Sequence, residues 1–467
     1  MNIHFLSNGL RINSGFGNVT KNVALGLKKL RHNVSMTSMQ ASYIPEWNFG
    51  IEVLPIEVPH LDEMSQFMTN LRKTEADVLI NIFQSDGGEH GMFSKIFPRT
   101  IWYTPVESKG MSLNAVNDIR TMFKNGGIPV AQCKYAQKEM KFAGINTICI
   151  YHGYNDKVFK PIDLKNGNNN DKDIKYCYYK TDFGKEVTNP ELLIEYGCHS
   201  CQVKDVSSCS YFKEEIVNIM KFVDIEKGKQ KGKRKERTWS ESEILISNLT
   251  NEFKNKFVYL FIGQNFRVRK RIERLLHAYY LMIKDNRELR DRTCLHLHTM
   301  PMSIVGLNLA GIAQSLGIQD NVSFSYGGYR SSGWSEEAMN ILYNIADCHV
   351  SASSGEGFGM STLETMACGI PTVGPRNSSF IELIEEKVDI NGNTIGPRGM
   401  LADGDYQMIQ DGTYRFLVDE KDLAEKMKFI YDGKDYSNYR QNCLEFSKQY
   451  TWDNIVKQWD ELIKSLK

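Results

Sequence analysis

The chain has 467 residues, 41% hydrophobic and 24% charged, with a formal net charge of +1. That length is too great for one ordinary core and calls for two domains, with room for an insertion. A charge so near zero gives no overall attraction to nucleic acid or an anionic membrane, so any polyanion contact has to be local.

The opening Met1-Asn2-Ile3-His4-Phe5-Leu6-Ser7 turns polar too soon for a signal peptide and reads as a first strand. No apolar run approaches the ~20 residues that span a bilayer. The ten cysteines are therefore expected as thiols, and the protein in the cytoplasm. After the strand at 3–7 comes a glycine loop, Ser14-Gly15-Phe16-Gly17-Asn18. Val19, Val23, Leu27 and Leu30 then recur at helical spacing. Apolar runs at 34–39, 78–83, 100–104 and 129–131 predict further strands. Strands alternating with helices imply parallel βαβ units.

The middle of the chain breaks this rhythm. Residues 166–173 are Asn-rich, and residues 226–237 carry seven Lys/Arg, two Glu and no apolar side chain. Both read as solvated linkers. The basic run 227–237 is also the one stretch suited to a peripheral polyanion contact, with DNA or an acidic membrane surface. Residues 165–250 thus form an insertion between a first domain, 1–160, and a second, 251–450, with a last helix in 451–467. The insertion holds Cys177, Cys198, Cys201 and Cys209, with His199 among them. Cys198 and Cys201 have the two-residue gap of a zinc knuckle, but the other spacings fit no standard ribbon. Structural zinc and free thiols both remain open. Asp171-Lys172-Asp173 and Asp403-Gly404-Asp405 match the Asp-x-Asp pattern of metal-dependent transferases and are read here as solvated loop acids.

A second α/β series follows. A strand at 257–262 leads into the basic loop Gly263-Gln264-Asn265-Phe266-Arg267-Val268-Arg269-Lys270-Arg271. Ile272, Leu275, Leu276, Tyr279 and Tyr280 stripe one helix face. A strand at 294–298 comes next, and residues 345–351 lead into the densest motif. It reads Ser354-Gly355-Glu356-Gly357-Phe358-Gly359-Met360-Ser361-Thr362-Leu363-Glu364-Thr365-Met366-Ala367-Cys368-Gly369-Ile370-Pro371. Its first three glycines permit tight turns and close approach of backbone to a ligand. A helix is expected from near Ser361 to Gly369, its free N–H groups and dipole facing a diphosphate. Glu356 and Glu364 can accept from sugar hydroxyls. Fixed cations in the basic loop would stabilise a departing diphosphate.

Glu356 and Glu364, with seven residues between them, resemble the Glu–(seven residues)–Glu motif of retaining GT-B glycosyltransferases, the large group that includes sucrose synthases and bacterial mannosyltransferases. The resemblance implies two Rossmann-like α/β/α domains facing a cleft, the second holding a nucleoside-diphosphate sugar and the first an acceptor. Glu356 would then contact the donor sugar and Glu364 the ribose. Gly357, Phe358, Gly359, Met360 and Ser361 would line the diphosphate, and Gly15 and Gly17 would lie beneath it. The family places an Arg after the glycine of the basic loop. Gln264 stands there, so Arg267 or Arg269 is expected to substitute, while Lys270 matches the family's lysine. Glu107 stands where many members carry a histidine near the reaction centre, and either orients the acceptor hydroxyl or caps the next helix. Tyr151–Pro161 resembles the segment that closes the first domain, and the last helix is expected to cross back to it. Catalysis would need no cofactor and no protein nucleophile. The acceptor would be a glycan, protein, lipid or modified nucleic acid.

Four features weigh against or beside that reading. A dinucleotide-binding turn at Gly15-Phe16-Gly17 is opposed by Thr20 at the third glycine position and by the lack of an acid after the next strand. A nucleic-acid-modifying transferase, a sugar-nucleotide epimerase and a non-catalytic binding module are the alternatives to a hexosyltransferase.

Overall fold

The computed structural model describes residues 1–10, 14–38, 49–55, 63–82, 94, 97, 99–162, 253, 255–325, 334–385, 387–388 and 394–466. The chain divides into one unit of residues 1–169 and 249–467 and another of residues 170–248. The second unit lies outside the described residues. So do Asp171, Asp173, Cys177, Cys198, His199, Cys201, Cys209 and the run 227–237.

The first sheet takes β1 (Asn2–Ser7), β2 (Asn33–Ser38), β3 (Glu52–Pro55), β4 (Val78–Ile82), β5 (Thr100–Thr104), β6 (Ile128–Ala131) and β7 (Ile148–Cys149) in the order β3-β2-β1-β4-β5-β6-β7. Every pairing in it is parallel. A parallel sheet is covered on both faces, so its central strands β4 and β5 are buried along their whole length, while the Ser35 and Thr37 hydroxyls of β2 are bonded to the buried His4 ring of β1. Phe5, Leu6, Leu79, Ile80, Ile101 and Trp102 are fully buried. The covering helices include α1 (Gly15–Lys29), α2 (Glu63–Lys73), α3 (Leu113–Lys124) and α4 (Lys134–Phe142).

Gly15 and Gly17, read from the sequence as a loop, lie in the first turn of α1. The reason is local: the Ser14 hydroxyl accepts from the Gly17 N–H at 3.1 Å and starts the helix at once. Val19, Val23, Ala24 and Leu27 then bury one face, as their spacing requires.

The second sheet contains β8 (Phe257–Ile262), β9 (Thr293–His298), β10 (Val322–Phe324), β11 (Cys348–Val350), β12 (Thr372–Pro375) and β15 (Gly399–Ala402), in the order β10-β9-β8-β11-β12-β15. It too is parallel throughout. Two small antiparallel pairs stand apart, β13 (Lys387–Val388) with β14 (Thr394–Ile395) and β16 (Gly404–Met408) with β17 (Tyr414–Val418). The helices are α5 (Arg267–Lys270), α6 (Ile272–Ile283), α7 (Arg287–Arg292), α8 (Leu309–Ser315), α9 (Glu336–Ile345), α10 (Met360–Ala367), α11 (Ser378–Ile384), α12 (Glu420–Asp432), α13 (Tyr436–Ser447) and α14 (Trp452–Lys464). The stretch 345–351 is less strand than its apolar character suggests, because Ile345 closes α9 and the strand proper is Cys348–Val350.

The last helix packs against the first domain. A Cβ at Gly26 of α1 would lie 2.4 Å from the Val456 side chain, so glycine there lets α14 seat closely. His32 pairs with Asp460 at 2.8 Å, and Trp459 meets Tyr103 edge-on at 5.1 Å. Ile455, Trp459 and Ile463 are fully buried, each contributing roughly 1.5–3 kcal/mol of apolar burial.

Candidate active site

In an open parallel sheet a crevice forms at the carboxyl ends of neighbouring strands whose connections run in opposite directions. In the second sheet β8 and β11 are such neighbours, and each releases its chain into one half of the charged cluster. After β8 the chain makes a single turn of helix, α5, broken at Arg271 in the left-handed region with φ +48°. That break separates Arg269 and Lys270 from α6 and leaves them facing the loop after β11. There Lys270 Nζ lies 2.5 Å from Glu356 Oε1, and Arg269 Nη1 lies 2.8 Å from Glu356 Oε2. Arg267 is exposed and Gln264 is exposed, so Arg269 is the arginine brought to the carboxylates.

The loop is fixed on both sides. The Ser354 N–H donates to the Arg269 carbonyl at 2.7 Å, and the Ser353 and Ser354 hydroxyls donate to the same oxygen. The Glu356 N–H donates to Ser378 Oγ at 3.0 Å. Ser378 itself has φ +43°, a strained position for a residue with a Cβ, held by burial at the start of α11. At the far end of α11, buried Arg398 donates to the carbonyls of Leu383, Glu382 and Glu385, satisfying the helix terminus.

Burial opposes the charge on Glu356, but Lys270 and Arg269 outweigh it and hold the carboxyl down at about 2. Burial lowers Lys270 in spite of Glu356 beside it. Burial also works against Arg269, whose pKa is nonetheless raised by Glu356 and Glu107.

Glu107 follows β5 of the first domain and completes the cluster. Its Oε1 lies 3.1 Å from Arg269 Nη1 and its Oε2 lies 3.8 Å from Arg415 Nη1. Burial pushes its carboxyl up, against the pull of Arg269 and Arg415. The helix-cap alternative is excluded: α3 is capped by Ser112, whose hydroxyl accepts from the Ala115 N–H.

The three motif glycines each meet a constraint. A Cβ at Gly355 would fall 1.6 Å from the Glu107 carbonyl oxygen, and one at Gly357 would fall 2.6 Å from Pro105. Gly359 has φ +91° and is the N-cap of α10, so no side chain caps that helix. Met360 and Ser361 form its first turn, half-buried. Phe358 is buried against His152 at 4.7 Å between ring centroids, and neither ring nitrogen of His152 has a hydrogen-bond partner among the described residues. Glu364 points from α10 to α9, where its carboxylate accepts from the Tyr343 hydroxyl at 2.5 Å. Burial pushes its carboxyl up to about 8; the Tyr343 bond works against this and Glu336 adds to it.

Gly15 and Gly17 occupy the start of α1 after β1, at the carboxyl edge of the first sheet. Asp403 accepts from Arg376 Nε at 2.6 Å, and Asp405 is exposed on β16. Arg415, Ser378 and Tyr343 escaped the sequence reading, because each meets its glutamate (Glu107, Glu356 and Glu364 in turn) from a distant element with no motif around it.

Residues 245–434 match the family model described as "Glycosyl transferases group 1". The chain has the GT-B fold, and this stretch of its second domain is similar to group 1 glycosyltransferases. Its fold is similar to that of sucrose-phosphate synthase from Thermosynechococcus elongatus, with a TM-score of 0.63 at 13% identity over 99% of this chain and 98% of that one. HepE of Anabaena, solved in complex with UDP, gives a TM-score of 0.60 at 15% identity over the whole of both chains. Among curated sequences, the "putative glycosyltransferase ORF313" of Acidianus filamentous virus 1 is 29% identical over 33% of this chain and 47% of its own length. The N-acetyl-alpha-D-glucosaminyl L-malate synthase of Bacillus anthracis is 24% identical over 63% of this chain and 64% of its own length. The match thus spans less than two thirds of either curated relative. The matched stretch holds both glutamates of the motif together with Arg269 and Lys270. Among the described residues no helix is long and apolar enough to cross a membrane.

Proposed function

We propose that this protein moves a hexose from a nucleoside-diphosphate sugar to an acceptor hydroxyl with retention of configuration. The observation that carries the reading is Glu356 gripped between Arg269 and Lys270 at the strand-end crevice. Two cations held beside an uncapped helix start form a place for a dianion, and the carboxylate there can turn to sugar hydroxyls once a diphosphate takes over the cations. The likeness in fold to HepE, solved with UDP, supports a nucleoside diphosphate as that dianion.

In this reading Arg269, Lys270 and the first-turn N–H groups of Met360 and Ser361 meet the diphosphate. Gly355, Gly357 and Gly359 let backbone approach it, and Gly15 and Gly17 lie on its other side. Glu356 holds the sugar, Glu364 the ribose, and Glu107 orients the acceptor. The bond from the anomeric carbon to the diphosphate breaks and its electron pair leaves with the phosphate. The acceptor oxygen bonds to the same face of that carbon, and its proton passes to the departing phosphate oxygen. Side-chain cations supply the charge stabilisation, so the reaction needs no cofactor. The cytoplasm, where cysteines stay reduced, is the proposed location.

The test begins with a thermal-shift panel of nucleotide sugars, since a ligand at 100 times its dissociation constant adds about 2.7 kcal/mol. Release of nucleoside diphosphate from the hit should persist in excess chelator, and the product's anomeric signal should match the donor's. Loss of activity restored by magnesium or manganese would overturn the cation mechanism. Unfolding in chelator, reversed by zinc, would place a structural metal at Cys177, Cys198, Cys201 and Cys209. Conversion of the sugar nucleotide with no transfer would point to an epimerase.

A further inference from the structure

The hairpin β16–β17 stands outside both main sheets, and β16 from Asp405 to Met408 is exposed. Its root is fixed in the second domain, where the Phe416 N–H donates to the Ser354 carbonyl at 3.2 Å and Phe416 is buried. Its other end is fixed in the first domain. Tyr414 and Lys109 exchange two backbone hydrogen bonds, at 2.9 and 3.0 Å, and the Lys109 ammonium sits 4.7 Å from the centre of the Tyr406 ring. Arg415 lies between these anchors. Its Nη1 donates to the Glu107 carbonyl at 2.9 Å and is 3.8 Å from the Glu107 carboxylate.

The result is a chain of alternating charge: Arg415, Glu107, Arg269, Glu356, Lys270. A donor diphosphate arriving at Lys270 and Arg269 competes with both glutamates for Arg269. Glu356 gains sugar hydroxyls in exchange. Glu107 gains nothing from the donor, and a buried carboxylate that loses its partner is costly. Only a second cation keeps it charged and in place. We infer that Arg415 is a positioning residue: carried across from the hairpin, it holds Glu107 on the acceptor side of the cleft when the donor draws Arg269 away.

The inference rests on the donor reading above. It also explains why the hairpin is pinned to the first domain at Tyr414, directly before Arg415, and to the second at Phe416, directly after it. The Lys109–Tyr414 pairing sets Arg415, the next residue along, against Glu107, so seating of the hairpin on the first domain and support of the acceptor-side carboxylate go together.

The groups facing Glu107 are Arg269, Glu356, Arg415 and Lys270. Removing Arg415 removes one of the three that favour the ionised form. The experiment compares the unsubstituted protein, Arg415→Gln, Arg415→Lys, Glu107→Gln and the double variant Arg415→Gln/Glu107→Gln. The probe is the nucleotide sugar found by the thermal-shift panel, with water as acceptor and nucleoside-diphosphate release as the readout. Arg415→Gln should slow release about tenfold or more, the scale of one charge-assisted hydrogen bond. It should change affinity for the free nucleoside diphosphate less than about threefold, which also shows that the variant is folded. The acid limb of its pH profile should move to higher pH, and Arg415→Lys should recover part of the rate. The double variant should be no slower than Glu107→Gln alone. Additive losses, or a slowing that merely follows weaker nucleotide binding, would overturn the assignment. An unsubstituted protein that binds no nucleotide sugar would instead sink the donor reading, and this inference with it.

Discussion

Glu356 and Glu364 belong to one motif, yet the regions around them make them chemically different. Glu356 sits on a glycine loop where α5 delivers Lys270 and Arg269, and it stays a carboxylate down to about 2. Glu364 sits inside α10 against α9, which delivers one phenol and, farther off, another acid. Its carboxyl rises to about 8, so near neutral pH it is mostly a neutral acid that can donate as well as accept. The spacing tells which residues share a turn. What the neighbouring loops bring decides their charge.

The sharpest way to break this contrast is to remove the cation on one side. Lys270→Ala should lower the maximal rate of donor turnover by ~10²–10³-fold, the scale of one lost electrostatic stabiliser. Donor affinity should fall less, because charge on the diphosphate grows as its bond to the sugar breaks. Lys270→Arg should restore part of the rate. A loss confined to affinity, with the maximal rate intact, would make Lys270 a uniform binder instead.

A smaller effect is expected on the other side. Glu364→Ala should weaken binding of the free nucleoside diphosphate by roughly 0.5–1.5 kcal/mol, the scale of a hydrogen bond to a neutral carboxyl, while the protein stays folded. Titration calorimetry that finds the affinity unchanged would remove Glu364 from the ribose.

The smallest effect is a difference in pH dependence. The Glu364 pKa is raised on folding, so its contribution to stability is complete below the unfolded value near 4.5 and is lost as pH rises through about 8. Glu356 has the opposite sign: its contribution is present above about 4.5 and is lost as pH falls toward 2. Glu364→Gln cannot ionise. Its melting temperature should therefore gain on the parent's between about pH 4.5 and 8 and hold level above that, by a few degrees in all, about 2–4 °C for each kcal/mol. Parallel melting curves across that range would mean that Glu364 is ionised throughout.

Much of the second domain was legible because its signals are local. The apolar run of β8, the stripe from Ile272 to Tyr279 and the glycines before α10 each act within one element. The near meeting of Lys270 with Glu356 was legible only through the resemblance. The choice of Arg269 over Arg267 depends on a left-handed Arg271, a conformation that composition does not announce. Arg415 was out of reach altogether: it touches Glu107 across 308 positions of sequence, from β17, a strand with no motif of its own. Gly15 and Gly17 were misread as a loop because a single serine hydroxyl outweighed two glycines.

The seat of α14 on α1 bears on how the chain is made. Gly26 and Val456 must meet before the face of the first domain that holds His32 and Tyr103 is covered. A ribosome adding ~5–20 residues per second needs on the order of tens of seconds to travel from one to the other. Through that interval the nascent first domain carries an uncovered apolar face. Chaperones that shield such faces during translation should therefore engage this chain early and leave it only after its last helix has emerged.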